Sequence, residues 1–137
     1  IKLFEKTNFK DLGHEYFRNI DIITCDVSFI SLKRVIEKIS REQILVELIC
    51  LIKPQFECGK EIATKYKGII LNKNIHQKII KELLNYCNSL KFYVKNLTYS
   101  PIKGGDGNIE YLVYLSNKIN ENREVDIDKI VDAAFKN

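Results

Sequence analysis

Three features of the sequence predict an α/β fold with a mainly parallel sheet and a late antiparallel hairpin. Short apolar runs of strand length alternate with stretches whose apolar residues recur at the helical period. The run from Leu45 to Ile52 is almost continuously apolar, the pattern of a strand covered on both faces. Two late runs, Phe92–Leu97 and Ile109–Leu115, flank a turn rich in glycine and can fold back on one another. Sheets of this class bind ligands at the carboxyl ends of their strands.

The elements follow in chain order. Lys2 to Glu5 reads as a short strand, followed by a polar turn at Thr7–Asn8 and a helical turn within Leu12–Arg18. Ile20–Cys25 reads as a strand that ends at Asp26. Ser31 is suited to cap a helix through about Ser40, with Leu32, Val35, Ile36 and Ile39 on one face. In the next strand Glu47 is the polar exception and is expected near its start. Gly59 to Lys73 is a lysine-rich connection with one apolar patch at Ile69–Leu71.

Asn74 is expected to cap an amphipathic helix to about Leu90, carrying Ile75, Ile79, Ile80, Leu83, Leu84 and Cys87 at the helical period. After the Phe92–Leu97 strand, the Ser100–Asn108 turn and the Ile109–Leu115 strand comes a polar linker, Asn117–Glu124. A last helix, about Ile127 to Lys136, buries Ile127, Ile130, Val131, Ala134 and Phe135.

Composition narrows the class. A chain of 137 residues suffices for one domain with a modest core, and 45% hydrophobic with 29% charged residues is ordinary for a soluble globular protein. The net charge of +4 leans toward an anionic partner without identifying one. No apolar run reaches the roughly 18 residues of a membrane span, and the first residues lack a signal-peptide pattern. The four cysteines form no C-x-x-C pair and read as reduced, packed thiols of a cytoplasmic protein. His14 and His76 lack ligand spacing, so no metal site is expected. The chain begins at Ile1 rather than methionine and is read as a piece of a longer protein.

Asp26 and Lys53 each directly follow an apolar strand. Alone, Asp26 or Ser28 is an ordinary turn residue, Lys53 a solvated strand end, and Glu110 a solvent-facing residue of the last strand. Pro54 cannot continue a sheet ladder. Taken together, a lysine beside two carboxylates can form an ion pair or, desolvated, act as a neutral amine that takes a proton. A hydroxyl attacking a methyl donor requires such a base.

The segments "CDVSFISLKRVI", "LIKPQFECGKE", "SPIKGGDGNIEYLVYL" and "FEKTNFKDL" resemble four blocks of the TlyA, or hemolysin A, family. That family is similar to the FtsJ-type methyltransferases. The resemblance implies a partial Rossmann-like methyltransferase fold and S-adenosylmethionine-dependent methylation of ribose 2′-hydroxyls in ribosomal RNA. It also implies an RNA-binding S4 domain ahead of the catalytic domain. Residues 1–116 then correspond to the C-terminal portion of the methyltransferase domain, and 117–137 to a linker and a helix packed on it.

By motif, Asp26, Lys53 and Glu110 match three members of a Lys–Asp–Lys–Glu catalytic set, with Lys53 as the base. The first lysine has no counterpart. Asn8, with Glu5 nearby, matches the surroundings of the methyl donor. Lys65, Lys67 and Lys103 match loops expected to hold RNA phosphates, although the Lys65–Lys73 stretch lacks a glycine and the arginine of the family segment. The "KGGDGN" turn lies between two strands rather than before a helix, so it is not a nucleotide-binding glycine loop. Phe29 and Phe56 are expected to pack.

The family's glycine-rich first strand-turn and acidic second strand are missing, so the isolated chain is expected to be inactive. The alternatives are a non-catalytic RNA-binding or ribosome-assembly module and a membrane-active hemolysin. No basic amphipathic helix supports the latter.

Overall fold

Four strands, β1 (Ile22–Cys25), β2 (Glu47–Ile52), β4 (Tyr111–Ser116) and β3 (Tyr93–Tyr99), lie side by side in that order in the computed structural model, which describes residues 2–137. β1 and β2 pair in parallel, with Cys25 opposite Cys50. β4 runs antiparallel to both β2 and β3. β1, β2 and β3 therefore share one direction, and β4 alone opposes them. The expected α/β fold holds, with the late hairpin threading its second strand back beside β2.

Leu48, Cys50 and Ile52 are at most 1% exposed, whereas Ile49 on the opposite face is 41% exposed. The helices that enter the core are α1 (Leu32–Arg41), α4 (Lys73–Ser89) and α5 (Ile127–Lys136). They bring Ile36, Ile39, Ile80, Leu83, Val131 and Ala134 into one cluster with Leu48, Val113 and Leu115. The expectation that Leu45–Ile52 is covered on both faces is corrected. Leu45 lies outside the strand and is exposed, and every core helix packs on the Leu48 face.

Local chemistry explains the helix ends. Ser31 adopts an extended conformation and its Oγ accepts from Lys33 N, capping α1. At α4 the cap is Asn72, not Asn74: Asn72 is extended and its Oδ1 accepts from Ile75 N, while Asn74 lies inside the first turn. α5 spans Ile127–Lys136 as expected, capped by Asp126 and tied to α4 by Lys73–Asp132 and Lys81–Asp128 ion pairs. The polar linker is anchored through Asn117, which bonds Val46 N and Ile44 O, and through Asn122, which accepts from Val94 N.

Two other expectations are corrected. Lys2–Glu5 forms no strand, because it has no ladder partner and its side chains are exposed. The segment that follows makes two short 3₁₀ turns, Phe9–Asp11 and His14–Phe17, and only Phe17 of these is buried. The connection after β2 contains two short helices, α2 (Pro54–Glu57) and α3 (Lys60–Lys65). Gly59 between them has φ +83°, a conformation that side chains disfavour.

Candidate active site at the strand ends

Cys25, the last residue of β1, pairs with Cys50, and β2 runs two residues further to Ile52, so Asp26 and Lys53 follow neighbouring parallel strands at the same end of the sheet. Lys53 is the cap of α2, and Pro54 takes the first helical position, where its missing N–H costs nothing and its fixed φ suits the helix. The chain thus leaves the sheet at once, and the lysine stays at the sheet's lip. Its Nζ lies 2.6 Å from Asp26 Oδ1 and donates to Ser28 Oγ at 3.2 Å.

Glu110 reaches the same end of the sheet because β4 is reversed. Tyr111 pairs with Ile52, so the residue before β4 stands level with the residue after β2. Glu110 is 8% exposed and accepts from Gln55 Nε2 at 3.1 Å. Among the described residues it forms no ion pair, so its orientation comes from an amide rather than from Lys53. The other amide atom, Gln55 Oε1, is buried without a partner in the structure. A Cβ on Gly104 would meet the Glu110 carboxylate, so a side chain there requires that carboxylate to move.

Ser28, Phe29, Lys53, Phe56, Lys60 and Glu110 line a cleft of about 710 Å³. Phe29 packs against Phe56, but outside the core. It is 89% exposed, with φ +63°, and its ring lies 4.9 Å from that of Phe56 at the cleft wall. Lys65, Lys67 and Lys103 are exposed in neighbouring segments, and none of the three lines the cleft. Lys60, which sequence reasoning passed over, does.

Asn8 caps the first 3₁₀ turn by accepting from Lys10 N, and it lines a second cavity of about 850 Å³ together with Val27 and Ile30. Ser28 borders both cavities. Glu5 is exposed and lines neither.

The cleft's far wall is held by two buried polar side chains that sequence reasoning missed. Asn108 accepts from Ile70 N at 3.0 Å and donates to Gly68 O at 2.8 Å, clamping one loop to the turn before β4. His76 is fully buried. Its Nε2–H donates to Ile70 O at 2.7 Å, and Tyr111 OH donates to its Nδ1 at 2.8 Å. Burial lowers the His76 pKa, in keeping with this neutral form, and raises that of Tyr111. An asparagine in a glycine-rich turn and a histidine on an apolar helix face carry no local mark of such partners.

A family model described as FtsJ-like methyltransferase matches residues 1–117. The 23S rRNA (cytidine-2′-O)-methyltransferase TlyA of Campylobacter jejuni is 39% identical over 114 residues, covering 83% of this chain and 44% of that protein. Hemolysin A of Brachyspira hyodysenteriae is 38% identical over 113 residues, covering 80% of this chain and 47% of that protein. Among solved structures, a candidate hemolysin from Streptococcus thermophilus matches with a TM-score of 0.83 and 32% identity, covering 95% of this chain and 48% of that one. The chain spans about half the length of the curated relatives it matches. Among the described residues, no helix is long and apolar enough to cross a membrane.

Proposed function

Because the chain belongs to the FtsJ-like methyltransferase family, we propose that it carries the catalytic strand ends of an S-adenosylmethionine-dependent ribose 2′-O-methyltransferase acting on ribosomal RNA. The observation that carries this reading is the 2.6 Å Asp26–Lys53 pair, with Glu110 entering the adjacent strand at the same end of the sheet. Relatives named as rRNA (cytidine-2′-O)-methyltransferases support the substrate class.

A ribose hydroxyl is a poor nucleophile until a base takes its proton. Asp26 and Ser28 aim the Lys53 amine. Once that amine has released a proton to solvent, its lone pair accepts the 2′-hydroxyl proton. Glu110, oriented by Gln55, offsets the charge that returns to Lys53. Alignment of the hydroxyl in the cleft supplies much of the acceleration. S-adenosylmethionine supplies an electrophilic methyl group when bound.

The residues present fit one flank of such a donor site. Asn8 faces the cavity that shares Ser28 with the catalytic cleft, and its side-chain N–H groups have no partner among the described residues. The cavity favours Asn8 as the donor contact, with Glu5 exposed nearby and outside the lining. Phe29 offers an exposed ring face to a base. Lys60 on the cleft, with Lys65, Lys67 and Lys103 in adjoining segments, provides cations for backbone phosphates.

Residues 1–116 are read as the C-terminal portion of the methyltransferase domain, and 117–137 as a linker and helix packed on it. The protein is read as cytoplasmic, with an S4 RNA-binding domain as its expected companion.

The test uses the full-length protein carrying this sequence, ribosomal subunits and a labelled methyl donor. Lys53→Ala is expected to abolish ribose methylation and to leave donor binding within a few-fold of wild type. Undiminished methylation by that variant overturns the assignment. The 137-residue chain alone is expected to bind the donor weakly, and low-micromolar binding in a calorimeter contradicts that part.

A further inference from the structure

The segment Asp26–Ile30 links β1 to α1 without strand or helix structure. It carries both partners of Lys53, Asp26 and Ser28, and it contains Phe29 in a left-handed conformation. A non-glycine residue in that region persists only where the surroundings over-determine it. At one end the segment is fixed by the Cys25–Cys50 pairing of β1 with β2. Its other end is fixed by a residue from a different part of the chain.

That residue is Glu57, the last of α2. Its Oε2 accepts from Ser31 Oγ at 2.6 Å, and its Oε1 accepts from Leu32 N at 2.6 Å. Leu32 N is one of the free N–H groups at the start of α1, which an anionic acceptor suits well. Ser31 Oγ in turn accepts from Lys33 N, so the hydroxyl bridges the carboxylate and the helix. Lys53 and Glu57 stand at the two ends of the same short turn, Lys53 as its cap and Glu57 as its last residue. The turn thus grips the Asp26–Ile30 segment twice, at Asp26 through the lysine and at Ser31–Leu32 through the carboxylate.

We propose that Glu57 is a positioning residue, whose hydrogen bonds from Ser31 and Leu32 hold the Asp26–Ile30 segment against the turn that presents Lys53. Without them, the segment keeps its β1 anchor but loses the register that brings Asp26 and Ser28 to the amine. This role rests on reading Lys53 as the base of methyl transfer. It adds a residue that is not itself part of the cleft lining. A helix cap alone would change stability only, whereas a positioning residue changes the rate of chemistry at a folded site.

The experiment compares wild type, Glu57→Gln and Glu57→Ala in the full-length protein. Amide exchange is followed by NMR at Leu32 and across Val27–Ile30, the Lys53 ammonium resonance reports its pairing with Asp26, and methylation is resolved into kcat and KM. Glu57→Ala is expected to speed Leu32 exchange at least tenfold, to alter the Lys53 resonance, and to lower kcat roughly ten- to hundredfold. The KM for RNA and for donor stays within about threefold. Glu57→Gln, which keeps one acceptor oxygen, recovers part of the kcat.

Faster Leu32 exchange with unchanged kcat and an unchanged Lys53 resonance overturns the proposal and leaves a helix cap only. If Glu57→Ala does not fold, Ser31→Ala removes one of the two bonds and is judged by the same readouts. If wild type shows no methylation, the proposed function fails, while exchange and the Lys53 resonance still decide whether Glu57 holds the segment.

Discussion

Lys53 meets Asp26 at 2.6 Å across the ends of two parallel strands, the lysine side chain 12% exposed and the aspartate 67% exposed. The pair is therefore half in solvent. Its contribution to stability is small, about 0–1 kcal/mol, and in the proposed mechanism its role is to aim the amine. Asp26→Asn in the full-length protein is expected to lower the single-turnover rate of methylation by roughly 10²-fold or more, with a melting temperature close to wild type. A rate within threefold of wild type contradicts this orienting role.

A side chain at Gly104 would have to push the Glu110 carboxylate aside. Gly104→Ala is expected to displace the carboxylate from Gln55 and to cost about 0.5–1.5 kcal/mol in chemical denaturation, the usual worth of a lost hydrogen bond. Gly105 next to it meets nothing within 4 Å. Gly105→Ala is accordingly expected to stay within about 0.5 kcal/mol of wild type, which makes it the control.

Asn108 holds the Gly68–Ile70 loop through its side-chain amide. Asn108→Ala strands the buried Ile70 N–H and the Gly68 carbonyl, an expected loss of about 1–3 kcal/mol. Hydrogen exchange at the Ile70 amide should accelerate by more than the change in global stability accounts for. Unaltered Ile70 exchange counts against the clamp.

His76 is buried as the neutral ring, and burial lowers its pKa below the ordinary value. The folded state then binds this proton less readily than the unfolded state does. Stability from this group is fully present above the unfolded pKa of about 6.5. It is lost progressively as pH falls below that value toward the lowered folded pKa. Urea denaturation from about pH 7 to pH 5 should show this decline. His76→Gln should be less stable than wild type at pH 7 yet show a flatter decline over the same range. Equal slopes would mean that His76 contributes no proton linkage.

Much of the fold was legible because it is local. The spacing of Val35, Ile36 and Ile39 is that of one helix face, and Ser31 caps the helix from the residue just before it. The bounds of α5 matched for the same reason. The errors arose where a local pattern met a non-local requirement. Lys2–Glu5 has a strand-like sequence but no neighbouring strand to complete its hydrogen bonds. Asn74 has the side chain of a cap, but backbone geometry selected Asn72, two residues earlier.

The sequence by itself determined the four strands of the sheet and the three long helices, their order, and the placing of Asp26 and Lys53 directly after two apolar strands. These follow from hydrophobic period, capping chemistry and the inability of Pro54 to extend a ladder. Only the tertiary structure decided that β4 lies between β2 and β3, which carries Glu110 to the same end of the sheet. It also decided that Glu110 is held by Gln55 and room left at Gly104, that Phe29 faces outward, and that Glu57 grips the start of α1. Strand order and such side-chain pairings join residues far apart in the chain. Their energy comes from hydrogen bonds and packing that exist only once the sheet is assembled, so no window of sequence records them.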